Sequence, residues 1–130
     1  MSQPILIGIV DDHQIIIDGL RALLQHAPHI SIVFSTTQPD QVVSILENKK
    51  IDVLLLDIVM PGLDGVTLAQ RVKKQYPNLK LLMLSMNANW QEVDTLVSEA
   101  DIAGYALKNI ATDQLAFAIE KIANGGIFFS

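Results

Sequence analysis

The chain has 130 residues, half of them apolar, few aromatic and none cysteine. That is length enough for one domain with an aliphatic core, and it excludes disulfides, zinc–thiolate sites and thiol catalysis. A formal charge of −5 and a pI near 4.9 argue against this segment gripping DNA or anionic lipid by itself.

The opening Met1-Ser2-Gln3-Pro4 lacks the positive region that precedes a signal peptide. No apolar run approaches the roughly 18–20 uncharged residues of a spanning helix, so a cytoplasmic domain without membrane contact is expected. Ile5–Val10 reads as the first strand. A helix follows over about Gln14 to His26, with Ile16, Leu20, Leu23 and Leu24 at helical spacing, and Pro28 stops it. Ile30–Phe34 is the second strand, and Pro39 opens a helix with Val42, Ile45 and Leu46 inward. Val53–Leu56 is a continuous apolar run, as a central strand buried on both faces requires.

The turn-rich Met60-Pro61-Gly62-Leu63-Asp64-Gly65 leads into a third helix with Leu68, Ala69 and Val72 inward. Pro77-Asn78 breaks the chain before the strand Leu81–Leu84. Asn87-Ala88-Asn89 supplies a cap for a fourth helix that starts at Trp90 and turns Val93, Leu96 and Val97 inward. Ile102–Leu107 is the fifth strand. Thr112 then caps a last helix carrying Leu115, Ala118, Ile119 and Ile122, which Gly125-Gly126 ends. Strands alternating with amphipathic helices predict repeated βα units around one parallel sheet.

Four strand ends carry the chemistry. Asp11 and Asp12 follow the first strand, Asp57 the third, Ser85 the fourth, and Lys108 the fifth. In an open parallel sheet these ends face one crevice. Singly, each residue is an ordinary turn, cap or solvated group, and Asp-Asp before a helix is often just a favourable cap. Jointly, they are what phosphoryl transfer to a carboxylate needs. Nucleophile and phosphoryl group are both anionic, and a hard divalent cation between them relieves the repulsion. Mg²⁺ needs only one or two direct carboxylates plus a backbone carbonyl. Asp12 and Asp57 can serve directly, Asp11 through water, and Lys108 as a point charge on the other phosphoryl oxygens. Ser85 can donate to the phosphoryl group once it is present, a contact confined to the modified state.

These residues resemble the receiver domain of bacterial two-component response regulators over about Ile5 to Gly126. The motifs stand as Val10-Asp11-Asp12-His13, Leu56-Asp57-Ile58-Val59-Met60-Pro61-Gly62-Leu63-Asp64-Gly65, Leu84-Ser85 and Gly104-Tyr105-Ala106-Leu107-Lys108. The resemblance implies a doubly wound (βα)5 flavodoxin-like α/β fold, its five-stranded parallel sheet in the order 2-1-3-4-5. It implies Asp57 as phosphoacceptor, Asp11 and Asp12 as the acidic pair for Mg²⁺, and the Val59 carbonyl as a further ligand. Ser85 and Tyr105 would be the switch pair, Lys108 the phosphate-binding lysine, and a sensor histidine kinase or phosphotransfer protein the donor. Homodimerisation on phosphorylation is expected with it. Catalysis is limited to the domain's own phosphorylation and hydrolysis.

Asp-Asp-His, Gly-Tyr-x-x-Lys without a following proline, and the closing Ile122-Ala123-Asn124-Gly125-Gly126-Ile127-Phe128-Phe129-Ser130 resemble the NarL/LuxR type. In that type a C-terminal helix-turn-helix domain binds DNA. Residues 1–126 are thus read as the receiver and 127–130 as the start of a linker, with a stand-alone receiver that docks other proteins as the alternative. A phosphatase with Asp-x-Asp chemistry is not supported, because Ile58 and Val59 follow Asp57. A trans bond is expected at Lys108-Asn109, since cis before a non-proline residue costs about 2.5–4 kcal/mol. His13 reads as a helix-start residue, His26 and His29 carry no assigned role, and Trp90 is expected to be partly exposed.

Overall fold

The apolar runs become parallel strands in the computed structural model, which describes residues 3–58, 65–86 and 90–129. The elements are β1 (Ile5–Val10), α1 (Gln14–Leu24), β2 (Ile30–Thr36), a 3-10 turn (Pro39–Gln41) running into α2 (Val42–Leu46), and β3 (Val53–Asp57). Then come α3 (Gly65–Gln75), β4 (Lys80–Ser85), α4 (Trp90–Ala100), β5 (Gly104–Leu107), α5 (Thr112–Ala123) and β6 (Phe128–Phe129). The strand order is 2-1-3-4-5-6. No helix among the described residues is long and apolar enough to cross a membrane.

Alternation along each strand divides the core in two. Ile7, Ile9, Val53, Leu55, Leu82, Leu84 and Ala106 pack with α1 and α5. Their neighbours Val10, Leu54, Leu56, Leu81, Met83 and Tyr105 pack with α2, α3 and α4. All five residues of β3 are buried, as its unbroken apolar run predicts for a central strand. Two helices therefore cover one face and three the other.

The five-strand expectation needs correcting. Phe128 and Phe129 fall in the stretch read as linker, yet they pair parallel to β5, opposite Gly104 and Tyr105. A two-residue strand is too short for periodicity to show, and only its position at the open edge of β5 reveals it. Three local readings also change. Val97 is 45% exposed, because α4 buries the narrower stripe Val93, Leu96 and Ala100. The inner face of α1 includes Ile17, with Leu20 and Leu24, and the helix stops at Leu24 rather than His26. Thr112 is the first helical residue of α5, not its cap; Ala111 holds the cap position without a side-chain bond.

At the amino end of the sheet Lys73 closes the turn between α3 and β4. Its Nζ donates to the carbonyls of Pro77 at 2.8 Å and Leu79 at 3.0 Å. No cis peptide bond occurs among the described residues, so Lys108-Asn109 is trans as expected.

Candidate functional site

Ladder hydrogen bonds carry the strand pattern slightly past the strand ends, and this fixes the crevice. Asp11 N–H donates to the Thr36 carbonyl at 3.2 Å, Ile58 N–H to Leu84 at 3.2 Å, and Lys108 N–H to Ser85 at 2.8 Å. Asp57 ends β3 opposite Leu84, and Ser85 ends β4 opposite Leu107. The four strand ends singled out in the sequence are thus held by the sheet itself.

Asp11, Asp57 and Ser85 are the buried polar residues among those described. Carboxylates of this kind need partners, since burial of an uncompensated charge is costly. Lys108 supplies one. Its Nζ lies 2.7 Å from Asp11 Oδ2 and 3.1 Å from Asp57 Oδ1, with the side chain only 7% exposed. Burial alone would lower the Lys108 ammonium, but the hydrogen bonds and charges of Asp11 and Asp57 outweigh it and raise it above the ordinary 10.5. Asp12, less buried, faces His13, whose Nδ1 is 2.9 Å from Asp12 Oδ1.

The donor set fits a hard divalent cation. Asp11, Asp12, His13 and Asp57 each offer a ligand atom, and these atoms all lie within 4.8 Å of one another. Asp11 Oδ2 lies 2.7 Å from the Lys108 ammonium and Asp12 Oδ1 2.9 Å from His13 Nδ1, so both oxygens sit among the groups of this cluster. The cluster is compatible with Mg²⁺.

Tyr105 is fully buried, on the α2–α3–α4 side of the sheet. The Val59 carbonyl, the Met60–Asp64 turn, the Asn87–Asn89 cap and the Trp90 side chain lie outside the described residues. Two residues matter more than the sequence suggested. His13 joins the acidic cluster that it borders in the sequence, where a helix-start role outweighs that of a ligand. Gly65 packs the start of α3 onto the end of β3: a Cβ there would stand 2.5 Å from the Asp57 carbonyl oxygen and 2.6 Å from Ile58 Cα. Its N–H also donates to the Ile58 carbonyl at 2.8 Å.

Comparison with known proteins agrees with this geometry. The pattern of the response regulator receiver domain matches residues 7–120. The transcriptional regulatory protein MctR of Rhizobium johnstonii is 32% identical over 94% of this chain, and the nitrate/nitrite response regulator protein NarL of Escherichia coli K12 is 27% identical over 99%. The chain spans 56% and 59% of those two proteins, so it covers little more than half of each. The non-phosphorylated receiver domain of the stress response regulator RcsB from Escherichia coli superposes with a TM-score of 0.91 at 28% identity, covering 98% of this chain and 99% of that one. These relatives are response regulators of the NarL/LuxR type.

Proposed function

This chain belongs to the response regulator receiver domain family, and on that premise we propose that Asp57 accepts the phosphoryl group in a two-component relay. The observation that carries the assignment is Lys108 Nζ, 3.1 Å from Asp57 Oδ1 and 2.7 Å from Asp11. Asp57 is the buried residue that ends β3 itself, with a cation already beside it, and this supports the reading. A carboxylate oxygen of Asp57 attacks phosphorus as the bond to the donor's imidazole nitrogen breaks, and the imidazole leaves with that electron pair. Lys108 then follows the new negative charge, and the Ser85 hydroxyl donates to a phosphoryl oxygen. Asp11, Asp12, Asp57 and the Val59 carbonyl would hold Mg²⁺, which when bound neutralises charge between carboxylate and phosphoryl group.

The domain is a signalling element and not a classical enzyme; the catalysis we assign is its own phosphorylation and dephosphorylation. Tyr105 is already inward, so phosphorylation would hold it there through Ser85 and reshape the face of α4, β5 and α5. A few kcal/mol suffices for such a shift. The donor would be a sensor histidine kinase or a phosphotransfer protein, in the cytoplasm. MctR is named a transcriptional regulatory protein, and an RcsB structure is described as two dimers bound to two parallel DNAs. By analogy we assign homodimerisation and transcription control, exerted through a DNA-binding domain outside this segment.

The test is intact mass after incubation with acetyl phosphate and Mg²⁺. A single phosphoryl adduct is expected, absent in Asp57→Asn and absent with chelator. An adduct that persists in Asp57→Asn would refute the assignment.

A further inference from the structure

We infer that His13 is a specificity-determining residue for the cation of this crevice, giving it a nitrogen ligand that favours Zn²⁺ without helping Mg²⁺ or Mn²⁺. The inference rests on the metal reading above and goes beyond it. His13 holds the cap position of α1, with extended backbone at φ −107° and ψ 112°, yet its side chain makes no capping hydrogen bond. The ring turns instead to the carboxylates: Nδ1 lies 2.9 Å from Asp12 Oδ1 and 3.3 Å from Asp11 Oδ1. The side chain is 63% exposed, so core packing does not dictate that orientation. The His13 N–H donates to Asp11 Oδ1 at 2.9 Å, which ties the residue to the carboxylate its own ring approaches.

The geometry then sets what the ring can do. The four candidate ligand atoms span at most 4.8 Å. Opposite vertices of an octahedral Mg²⁺ site lie about 4.2 Å apart, given bonds of about 2.1 Å. The four atoms therefore need to draw together by less than about 1 Å to share one cation. Ligation through Nδ1 places the ring proton on Nε2 and replaces the Nδ1–carboxylate contacts with bonds to the cation. Hard Mg²⁺ and Mn²⁺ suit carboxylate, carbonyl and water oxygens, whereas Zn²⁺ readily accepts imidazole. His13 thus separates the two kinds of cation, while Asp11, Asp12 and Asp57 serve both.

Calorimetric titration with MgCl₂, MnCl₂ and ZnCl₂, without any phosphodonor, tests this on the wild-type chain, His13→Ala and His13→Asn. The Asn variant retains a side chain suited to the helix cap, and thermal melts establish that both variants fold. The expected result is Mg²⁺ and Mn²⁺ affinity within about twofold of wild type, with Zn²⁺ affinity lower by at least about tenfold in both variants, the scale on which perturbing a metal site costs affinity. A loss of Mg²⁺ or Mn²⁺ affinity as large as that of Zn²⁺, no loss of Zn²⁺ affinity, or tighter Zn²⁺ binding would overturn the inference. If wild type binds no Mg²⁺ while Zn²⁺ still depends on His13, the Mg²⁺ assignment fails and the role of His13 stands.

Discussion

Two lysines, at opposite ends of the same sheet, are almost equally hidden and behave in opposite ways. Lys108 at the carboxyl end is 7% exposed and Lys73 at the amino end 13%. Burial lowers Lys73, because its hydrogen-bond partners are neutral carbonyls and the carboxylate of Asp101 is 3.9 Å away on a 91% exposed side chain. Lys108 experiences the same desolvation but is raised by two buried carboxylates. Burial is therefore not what separates the two lysines. The charge of the partners decides: two buried carboxylates face Lys108, and neutral carbonyls with one exposed carboxylate face Lys73.

The sharpest way to break this comparison is to remove each lysine in turn. Lys108→Met leaves Asp11 and Asp57 facing each other, and should cost about 3 kcal/mol in urea unfolding, the low end for breaking a buried pair because the crevice opens to water near Asp12. Added Mg²⁺ should recover part of that loss, since a ligand that binds only the folded chain stabilises it. Gly65→Ala probes the same end by shape instead of charge. The new methyl group meets backbone that cannot rotate away, and about 2 kcal/mol should be lost, with little recovery on adding Mg²⁺. Lys73→Met should cost about 1–2 kcal/mol, the value of hydrogen bonds to two turn carbonyls, and should leave phosphorylation by acetyl phosphate unchanged.

The smallest effect is in pH dependence, and its sign separates the two lysines. The folded state holds the Lys108 proton more tightly than the unfolded chain does. Its contribution is thus complete at and below the ordinary value of 10.5 and is lost as pH rises through the raised folded value. Lys73 is the reverse: in the window just below 10.5 the unfolded chain binds more protons, so stability rises with pH there. Urea unfolding from pH 8 to 11 should show these opposite slopes as differences between wild type and each single variant.

Much of this was legible in the sequence because the strands are central and parallel. A run such as Val53–Leu56 has no polar residue to hide its boundaries, and the first polar residue after it falls at the sheet's carboxyl end. That is why Asp11, Asp12, Asp57, Ser85 and Lys108 stand out together in the sequence. What escaped notice were features with no period. β6 is two residues long. Helix limits slipped where caps form without side chains, as at Ala111. His13 gave no sign of its ring contacts, because these depend on a rotamer rather than a pattern. The packing of Gly65 onto Asp57 depends on the angle at which α3 leaves the sheet.

Tyr105 and Ala106 are consecutive, yet they belong to different halves of the core. β5 is consequently a party wall with a tenant on each side. A displacement of the tyrosine into or out of its room moves the shared partition, and α5 on the far side must respond through Ala106 against Leu115, Ala118 and Ile119. A spectroscopic label on the α5 face should hear what happens at Tyr105 without ever touching it.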